Sequence, residues 1–448
     1  MLRAGVLGGG GAAALAATGG AGVLAAAARP PKPAAFELFA QQDLNFETLF
    51  TLGSAGYGAA EVGEVVTAVN EVNRRGPTYQ HYFDVFAALA GRTSMLAGGE
   101  LRSGHKASAL SAYLRAAAYY DCCLFFVLGT SQRAHEADVY ARMQHNWSQA
   151  ALLFDPPFQP VRIPYRNTWL PGYFLSCSGR PAPAPTVILN NGSDAQNVDL
   201  YVYGGAAALE RGYNALIFEG PGQGSMLFER QVPYRPAWQD VVTPIVDWLV
   251  TRPDVDPGRI ALTGWSMCGC SVIQAACFEH RLAAVVADPG VLDVWRAWPP
   301  SVQKLLASGL PKAEVNHIWM TEIVPHLDAA DRFTLAKRSE LFGRQFLLAA
   351  RAGRVFGDLY NLGKTIMQVN CEATAPRVRC PVLVTAYQED AFFGAHNQAG
   401  DVFDLLPGHI DKQLHWFTVA EGAEYHDAPM APQTRNQVVF DWLDGVLA

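Results

Sequence analysis

IALTGWSMCG, residues 260–269, is a short apolar strand that runs through Gly-x-Ser-x-Cys-Gly directly into a helical stretch. This context is typical of a tight strand-to-helix turn that lifts a serine hydroxyl clear of a sheet. We therefore predict that Ser266 is a nucleophile and that the N–H of Met267, at the helix N-terminus, stabilises an oxyanion. The usual second glycine of the pattern is Cys268 here, which predicts a slightly looser fit of helix against strand, partly absorbed by Gly269.

A serine becomes strongly nucleophilic when a base lies within hydrogen-bond reach and a carboxylate orients that base. The sequence supplies both groups in the order acid and then histidine, each after a later apolar strand. Asp390 follows the strand at residues 381–386, and His426 follows the strand at residues 414–419. The sequence therefore predicts a catalytic triad of Ser266, Asp390 and His426.

The acid and the base of the predicted triad each have competing candidates. Glu389 is an alternative acid, and so is Asp288, which follows the sixth strand but precedes a proline and is interpreted as a turn cap. His409 and His415 are alternative bases. One lies in a Pro-Gly turn and the other inside a strand, which favours structural roles for both.

A second oxyanion donor is expected from the loop Asn-Gly-Ser-Asp, residues 191–194. Glycine permits a sharp turn that aims a backbone N–H at the nucleophile. The N–H of Ser193 is the first candidate and that of Gly192 the second, with an ordinary Asn-Gly turn as the structural alternative. The glycine-rich loop at residues 219–225 lacks the lysine of a phosphate-binding loop, and we interpret it as a strand-to-helix loop at the pocket rim.

The order of apolar and helical stretches predicts the rest of the architecture. Residues 36–157 carry apolar side chains at helical spacing and are predicted to form a helical N-terminal region. Residues 158–290 and 376–448 alternate short apolar runs with helical stretches, which indicates a mostly parallel sheet with helices on both faces. The predicted strands are residues 161–165, 168–176, 186–190, 214–218, 259–263, 283–287, 381–386 and 414–419.

The interval at residues 291–375 is too long for an ordinary connection between strands. It reads as helical and contains Trp295, Trp298 and Trp319. We predict that it is an inserted helical cap over the end of the sheet where ligands bind.

Residues 1–35 form an Ala/Gly-rich leader with a basic residue near its start, an uncharged middle and a run of alanines before an Arg-Pro-Pro break. This pattern is typical of a signal segment and favours export over a cytoplasmic location.

Composition limits the classes of partner. Half of the residues are hydrophobic, 17% are charged and the net charge is −7, so a large core is expected and a nucleic-acid partner is not. The eight cysteines lack the spacing of zinc ligands and are interpreted mostly as buried free thiols. No metal and no cofactor are predicted.

Several motifs together carry a resemblance to a known family: Asn-Asn-Gly-Ser-Asp at 190–194, Gly-Pro-Gly-Gln-Gly at 220–224, Gly-Trp-Ser at 264–266, and the Asp390/His426 ending. They resemble one group of α/β-hydrolases with an N-terminal helical region, which includes 2,6-dihydroxypseudooxynicotine hydrolase and the fungal polyketide-shortening hydrolases. The similarity extends from about residue 44 to the C-terminus.

This resemblance implies an α/β-hydrolase fold and cleavage of an ester, or of a carbon–carbon bond next to a ketone, without a cofactor. It carries over Ser266 as nucleophile, Asp390 as orienting acid and His426 as base. A carboxylate in the cap assists in some relatives, and Glu314 and Glu322 are the candidates here.

The leading hypothesis is a serine hydrolase for a medium-sized, partly aromatic ketone or ester. Trp265 beside the nucleophile, Asp194 in the 191–194 loop and Trp295 in the cap are candidate substrate-binding residues. The alternatives are an acyltransferase that uses the same triad and a non-catalytic binding protein that retains the fold. A small-molecule substrate is the expected partner, and a homodimer is one candidate assembly.

Overall fold

The centre of the structure is a single eight-stranded sheet. The computed structural model describes residues 37–178, 182–393 and 398–448, so the predicted leader at residues 1–35 lies outside the described residues. The strands are β1 (Gln159–Tyr165), β2 (Thr168–Leu175), β3 (Ala184–Asn190), β4 (Asn214–Phe218), β5 (Val255–Trp265), β6 (Ala284–Asp288), β7 (Val382–Tyr387) and β8 (Lys412–Phe417).

The strands are arranged in the order β1-β2-β4-β3-β5-β6-β7-β8. Strands β1 and β2 form an antiparallel hairpin and β2 pairs antiparallel with β4, whereas β3 to β8 are parallel to one another. Every residue of β3, β4, β6 and β7 is buried, as expected for strands covered on both faces. The mostly parallel sheet predicted from the alternating pattern is therefore confirmed.

Within the described residues, five α-helices precede the sheet. They are α1 (Gln42–Gly53), α2 (Val62–Arg75), α3 (Tyr79–Arg102), α4 (Lys106–Phe126) and α5 (Glu136–Ala151). Helix α4 is apolar on most of its surface, as expected for a helix inside a bundle, and it packs against both α3 and α5 along much of its length. A buried carboxylate joins the helices to the sheet, since the Tyr140 hydroxyl of α5 donates to Oε1 of Glu219 at 2.7 Å.

Helices connect the strands and cover both faces of the sheet. Between β3 and β6 they are α6 (Asn197–Leu200), α7 (Ala206–Glu210), α8 (Gly224–Phe228), α9 (Gln239–Leu249) and α10 (Cys268–Ala276). Only two residues, Ser266 and Met267, separate the end of β5 from the start of α10.

The long connection between β6 and β7 is helical. It contains α11 (Pro300–Ala307), α12 (Lys312–Ile318), α13 (Ala329–Ser339), α14 (Arg344–Arg351) and α15 (Leu359–Ile366). Helix α16 (Gln398–Leu405) lies between β7 and β8, and α17 (Pro432–Val446) follows β8. Trp319 is fully buried in this segment, where its indole N–H donates to the carbonyl of Phe356 at 2.8 Å. Trp319 is therefore a core residue of the cap.

The described residues contain neither a membrane-spanning helix nor a cluster of metal ligands. No helix there is long and apolar enough to cross a membrane. No group of three or more His, Cys, Asp or Glu side chains in those ranges is arranged to hold a metal ion. All eight cysteines lie within the described ranges, and six of them are buried.

Candidate active site

Ser266 occupies the turn between β5 and α10 with a φ of 53°. A residue with a side chain seldom adopts this left-handed conformation, so the surrounding structure must hold it. The N–H of Ser266 donates to the carbonyl of Asp288 at 2.7 Å, and its own carbonyl accepts from the N–H of Gly269 at 2.9 Å. The turn is thus tied to the end of the neighbouring strand β6 on one side and to α10 on the other.

Close packing around this turn requires glycine at two positions. A Cβ at Gly264 would lie 2.3 Å from the carbonyl oxygen of Cys268, and one at Gly269 would lie 1.9 Å from that of Pro289. Cys268 itself is fully buried, with its Sγ 3.8 Å from Nε2 of Gln223. The Cys268 side chain is therefore accommodated in the packing around the turn. The backbone of a neighbouring segment comes closest to the turn at Gly269, where it meets Pro289.

The structure brings Ser266, His426 and Asp390 together from three separate segments. The Oγ of Ser266 lies 2.9 Å from Nε2 of His426, and Nδ1 of the same ring lies 2.9 Å from Oδ2 of Asp390. The second oxygen of Asp390, Oδ1, accepts from the N–H of Phe392 at 2.8 Å. The carboxylate is held on both oxygens, so it can orient the imidazole with Nε2 facing the hydroxyl.

Two aromatic rings lie beside the imidazole of His426. Its ring centroid is 5.0 Å from that of Phe392 and 5.3 Å from that of Phe393. Burial lowers the pKa of His426, but the negative charges of Asp390 and Asp427 outweigh burial and raise it to about 9. The unliganded protein therefore favours the imidazolium form at neutral pH.

Asp288, the rival acid, has a different set of partners. Its Oδ2 accepts from Nε of Arg435 at 2.7 Å, and its Oδ1 accepts from the hydroxyls of Tyr387, at 2.5 Å, and Thr385. Both members of the Asp288–Arg435 ion pair are almost completely buried. Asp288 therefore joins β6 to α17 and is not a partner of the histidine.

The other rival residues lie away from the pocket. His409 is exposed in its turn, His415 lies within β8, and Glu389 precedes Asp390 in the loop after β7. Neither Glu314 nor Glu322 of the cap is among the described residues that line the pocket.

Gly192 lies against the nucleophile. A Cβ at this position would be 2.8 Å from Cβ of Ser266 and 2.9 Å from the carbonyl oxygen of Trp265. The amide of Gln223 supports the loop from behind, since its Nε2 donates to the carbonyls of Asn191 at 2.7 Å and Gly192 at 3.0 Å. This role of Gln223 was not predicted from the sequence, although Gln223 belongs to the Gly-Pro-Gly-Gln-Gly motif that carried the family resemblance.

Two backbone segments can therefore supply oxyanion donors. Met267 lies at the start of α10, where the first N–H groups of a helix have no partner within the helix. Gly192 and Ser193 line the pocket, and Gly192 lies against Ser266. The three predicted donors are thus near the nucleophile, and their role stays a prediction.

Substituting Gly192 with alanine should displace the loop from Ser266, because the new methyl group meets backbone on one side and Cβ on the other. We expect kcat to fall about 10²- to 10³-fold, the usual effect of losing one oxyanion donor. Gly63→Ala is the matched control, since nothing lies within 4 Å of a Cβ there. Steady-state ester hydrolysis measures both, and equal rates in the two variants would contradict the assigned position of Gly192.

The pocket above Ser266 has a cavity volume of about 170 Å³. Two of the three predicted substrate-binding residues, Trp265 and Asp194, are among its lining residues. Trp295 is not among them, and substrate binding by all three residues stays a prediction. Trp298 lines the pocket instead, while Trp295 stacks behind it with ring centroids 5.5 Å apart. Sequence could not separate the two tryptophans because they lie three residues apart in the same cap segment.

One wall of the pocket carries carboxyl groups that the sequence analysis did not identify. Glu47 of α1, Asp121 of α4 and Asp199 of α6 all line the cavity. Burial raises the pKa of each, to about 6 for Asp199 and well above the usual range for Glu47 and Asp121. These acids come from helices that are far apart in sequence, so no local motif could have pointed to them.

This chain is similar to known proteins in sequence and in fold. The sequence model of the X-Pro dipeptidyl-peptidase (S15) family matches residues 130–415. The chain belongs to this S15 family. The match begins between α4 and α5 and ends in β8, so it includes the turn at Ser266 and the helical connection between β6 and β7.

Fungal hydrolases are similar to this S15-family chain over nearly its whole length. Hydrolase ORFZ of Pyricularia oryzae is 28% identical over 431 residues, which is 91% of this chain and 97% of the relative. The 20-hydroxy-prefusarin hydrolase FUS2 of Gibberella moniliformis is 26% identical, with 92% and 98% of the two chains covered. The resemblance to fungal hydrolases inferred from the motifs is confirmed.

A solved structure shares the fold. The crystal structure of 2,6-dihydroxy-pseudo-oxynicotine hydrolase superposes with a TM-score of 0.63 at 20% identity, covering 88% of this chain and 95% of the other. The S15-family protein therefore has the predicted α/β-hydrolase fold and is a hydrolase.

Proposed function

We propose that this hydrolase cleaves an ester, or a carbon–carbon bond next to a ketone, in a medium-sized, partly aromatic substrate by covalent catalysis at Ser266. The observation that carries the proposal is the unbroken chain of contacts from Ser266 Oγ through the His426 ring to Asp390, with 2.9 Å at each step. Nucleophile, base and orienting acid within hydrogen-bond reach are what acyl transfer to serine requires.

In the first half of the reaction, neutral His426 accepts the Ser266 proton on Nε2 as Oγ attacks the substrate carbonyl carbon. The oxyanion that forms is stabilised by the N–H of Met267 together with that of Ser193 or Gly192. Asp390 holds the imidazolium in place. Collapse of the intermediate breaks the bond to the leaving group, which takes the proton from Nε2 as an alcohol or as the carbon acid of a ketone.

In the second half, water attacks the carbonyl carbon of the acyl group on Ser266 and transfers a proton to Nε2 of His426. The bond between that carbon and Ser266 Oγ then breaks, and Oγ takes the proton back from Nε2. The products are a carboxylic acid and the free enzyme, so the bonds and protons balance without a cofactor. The same oxyanion donors serve both halves because both intermediates carry the negative charge on the same oxygen.

The lining of the pocket supports an apolar substrate with some polar groups. Aromatic rings from the N-terminal helices and the cap face the cavity, and these are Phe46, Phe50, Phe125, Trp298 and Phe342. Apolar residues form most of the lining, and polar groups interrupt it; among these, Arg338 is paired with Asp194 at 3.1 Å. A largely apolar pocket with several aromatic rings and convergent polar groups fits a ring-containing ketone or ester.

Labelling with a fluorophosphonate probe tests the nucleophile, and a substrate panel tests the reaction. We expect the wild-type protein to be labelled on Ser266 and the His426→Ala variant to lose labelling, since the hydroxyl then has no base. Aryl esters and aryl β-diketones of equal size separate ester from carbon–carbon cleavage by their rates. A folded wild-type protein that reacts with neither the probe nor any member of the panel would overturn the proposal.

A further inference from the structure

Asp427 is a buried carboxyl group directly against the proposed base. It lines the pocket and is 3% exposed, and its Oδ2 lies 3.2 Å from Nε2 of His426. Its other oxygen, Oδ1, has no hydrogen-bond partner within the described part of the chain. The triad described above makes no use of Asp427.

The backbone holds this carboxyl in place. Asp427 has a φ of 63° and Ala428 a φ of 50°, so two consecutive residues adopt the left-handed conformation. The turn is closed by the N–H of Ala428, which donates to the carbonyl of Tyr425 at 2.8 Å. Because two residues with side chains seldom adopt this conformation in succession, the position of the carboxyl is imposed by the fold.

Nε2 of His426 therefore faces two oxygens, Ser266 Oγ at 2.9 Å and Asp427 Oδ2 at 3.2 Å. When Nδ1 donates its proton to Asp390, neutral imidazole presents a lone pair at Nε2. A carboxylate oxygen facing that lone pair is repelled, whereas a proton placed between the two atoms makes the contact favourable. The observed contact is thus the one expected when His426 and Asp427 share a proton.

Charged groups of both signs surround the pair. Two carboxyl groups, Asp390 and Asp288, favour retention of a proton on the pair, whereas the nearest cations, Arg338 and Arg435, oppose it. Burial raises the pKa of Asp427 well above its usual range, the charge of His426 lowers it, and Asp288 and Asp390 raise it further. The Tyr387 hydroxyl, which faces the same site, donates to Asp288 and remains protonated.

We propose that Asp427 shares a proton with Nε2 of His426 and thereby sets the pH at which Ser266 becomes reactive. This inference rests on the proposed function, because it assigns Asp427 as a positioning residue that acts through the base. While the proton is present, Nε2 cannot accept the Ser266 proton. When the pair releases that one proton to solvent, the lone pair becomes free and the imidazolium formed during attack is stabilised by the Asp427 carboxylate.

The pH dependence of kcat/KM with an aryl ester, measured from pH 5 to 10, tests this proposal. The wild-type rate should rise with pH and level off above about pH 9, because the reactive form is the neutral imidazole. Asp427→Asn and Asp427→Gly both accept a positive φ and remove the charge. In each variant the rise should move to lower pH by at least about one unit, which is about tenfold in the fraction of active enzyme at pH 7.

Asp404→Asn is the matched control, because this exposed carboxyl in α16 changes the net charge equally and lies outside the pocket. It should leave the pH profile unchanged. Two variants are used so that a folding defect in one does not decide the result, and thermal unfolding checks both. If both folded Asp427 variants keep the wild-type profile while Ser266 is still labelled, the proton-sharing role is overturned and the triad is not. If wild-type Ser266 is never labelled at any pH, the proposed function itself fails.

Discussion

Substituting Ser266 with alanine is expected to lower kcat/KM for an activated aryl ester by roughly 10⁴- to 10⁶-fold, with the fold intact. The hydroxyl forms the covalent bond in the proposed reaction, and the Oγ contact to His426 is lost with it. Residual turnover would come from the oxyanion donors and from binding alone. Steady-state kinetics, together with intact-mass detection of the acyl intermediate, measure both consequences.

Ser103→Ala is the control for this prediction, because Ser103 is exposed after α3 and lies outside the pocket. It should retain wild-type rates. A Ser266→Ala variant that keeps a tenth or more of the activity would mean that another group is the nucleophile.

Asp390→Asn should lower kcat about 10⁴-fold while leaving the free energy of unfolding nearly unchanged. An amide at this position can donate to Nδ1 and so favours the tautomer that carries its proton on Nε2, where it blocks proton transfer from Ser266. The loss should persist at every pH, since it comes from the tautomer and not from the extent of protonation. Kinetics and urea unfolding on the same preparation separate the two quantities.

Asp288→Asn is the matched comparison and should give the opposite pattern. It leaves the guanidinium of Arg435 buried without its counter-ion, which costs about 3–5 kcal/mol of unfolding free energy. Asp288 does not contact the histidine, so the folded fraction should keep most of its activity. If instead Asp288→Asn abolishes turnover in a stable protein and Asp390→Asn does not, the acid has been assigned to the wrong strand.

Most of the architecture was predictable because its signals are local. Strands β3, β4, β6 and β7 correspond to short, mostly apolar runs, and the turn at Ser266 follows from a strand, a Gly-x-Ser pattern and a helix in direct succession. Asp390 and His426 were inferred from their positions after the last two strands. The carboxyl ends of parallel strands meet at one edge of a sheet, so order along the chain was enough to expect these residues together.

The remaining parts of the site depend on side-chain direction and on contacts between distant segments. Trp295 and Trp298 belong to one short segment, and only the packing of the cap determines which ring faces the cavity. Asp427 has no sequence motif, and its contact with Nε2 exists because two successive left-handed residues turn the chain back.

From its amino-acid sequence alone, this protein could be recognised as a hydrolase with a parallel sheet, a serine turn and an ordered acid and base. These features follow from the hydrophobic periodicity of each segment and from the order of the segments along the chain. The proton environment of the base, the support of the 191–194 loop by Gln223 and the lining of the pocket follow only from tertiary packing. Burial and charge–charge distances are properties of several segments at once, and no single stretch of sequence contains them.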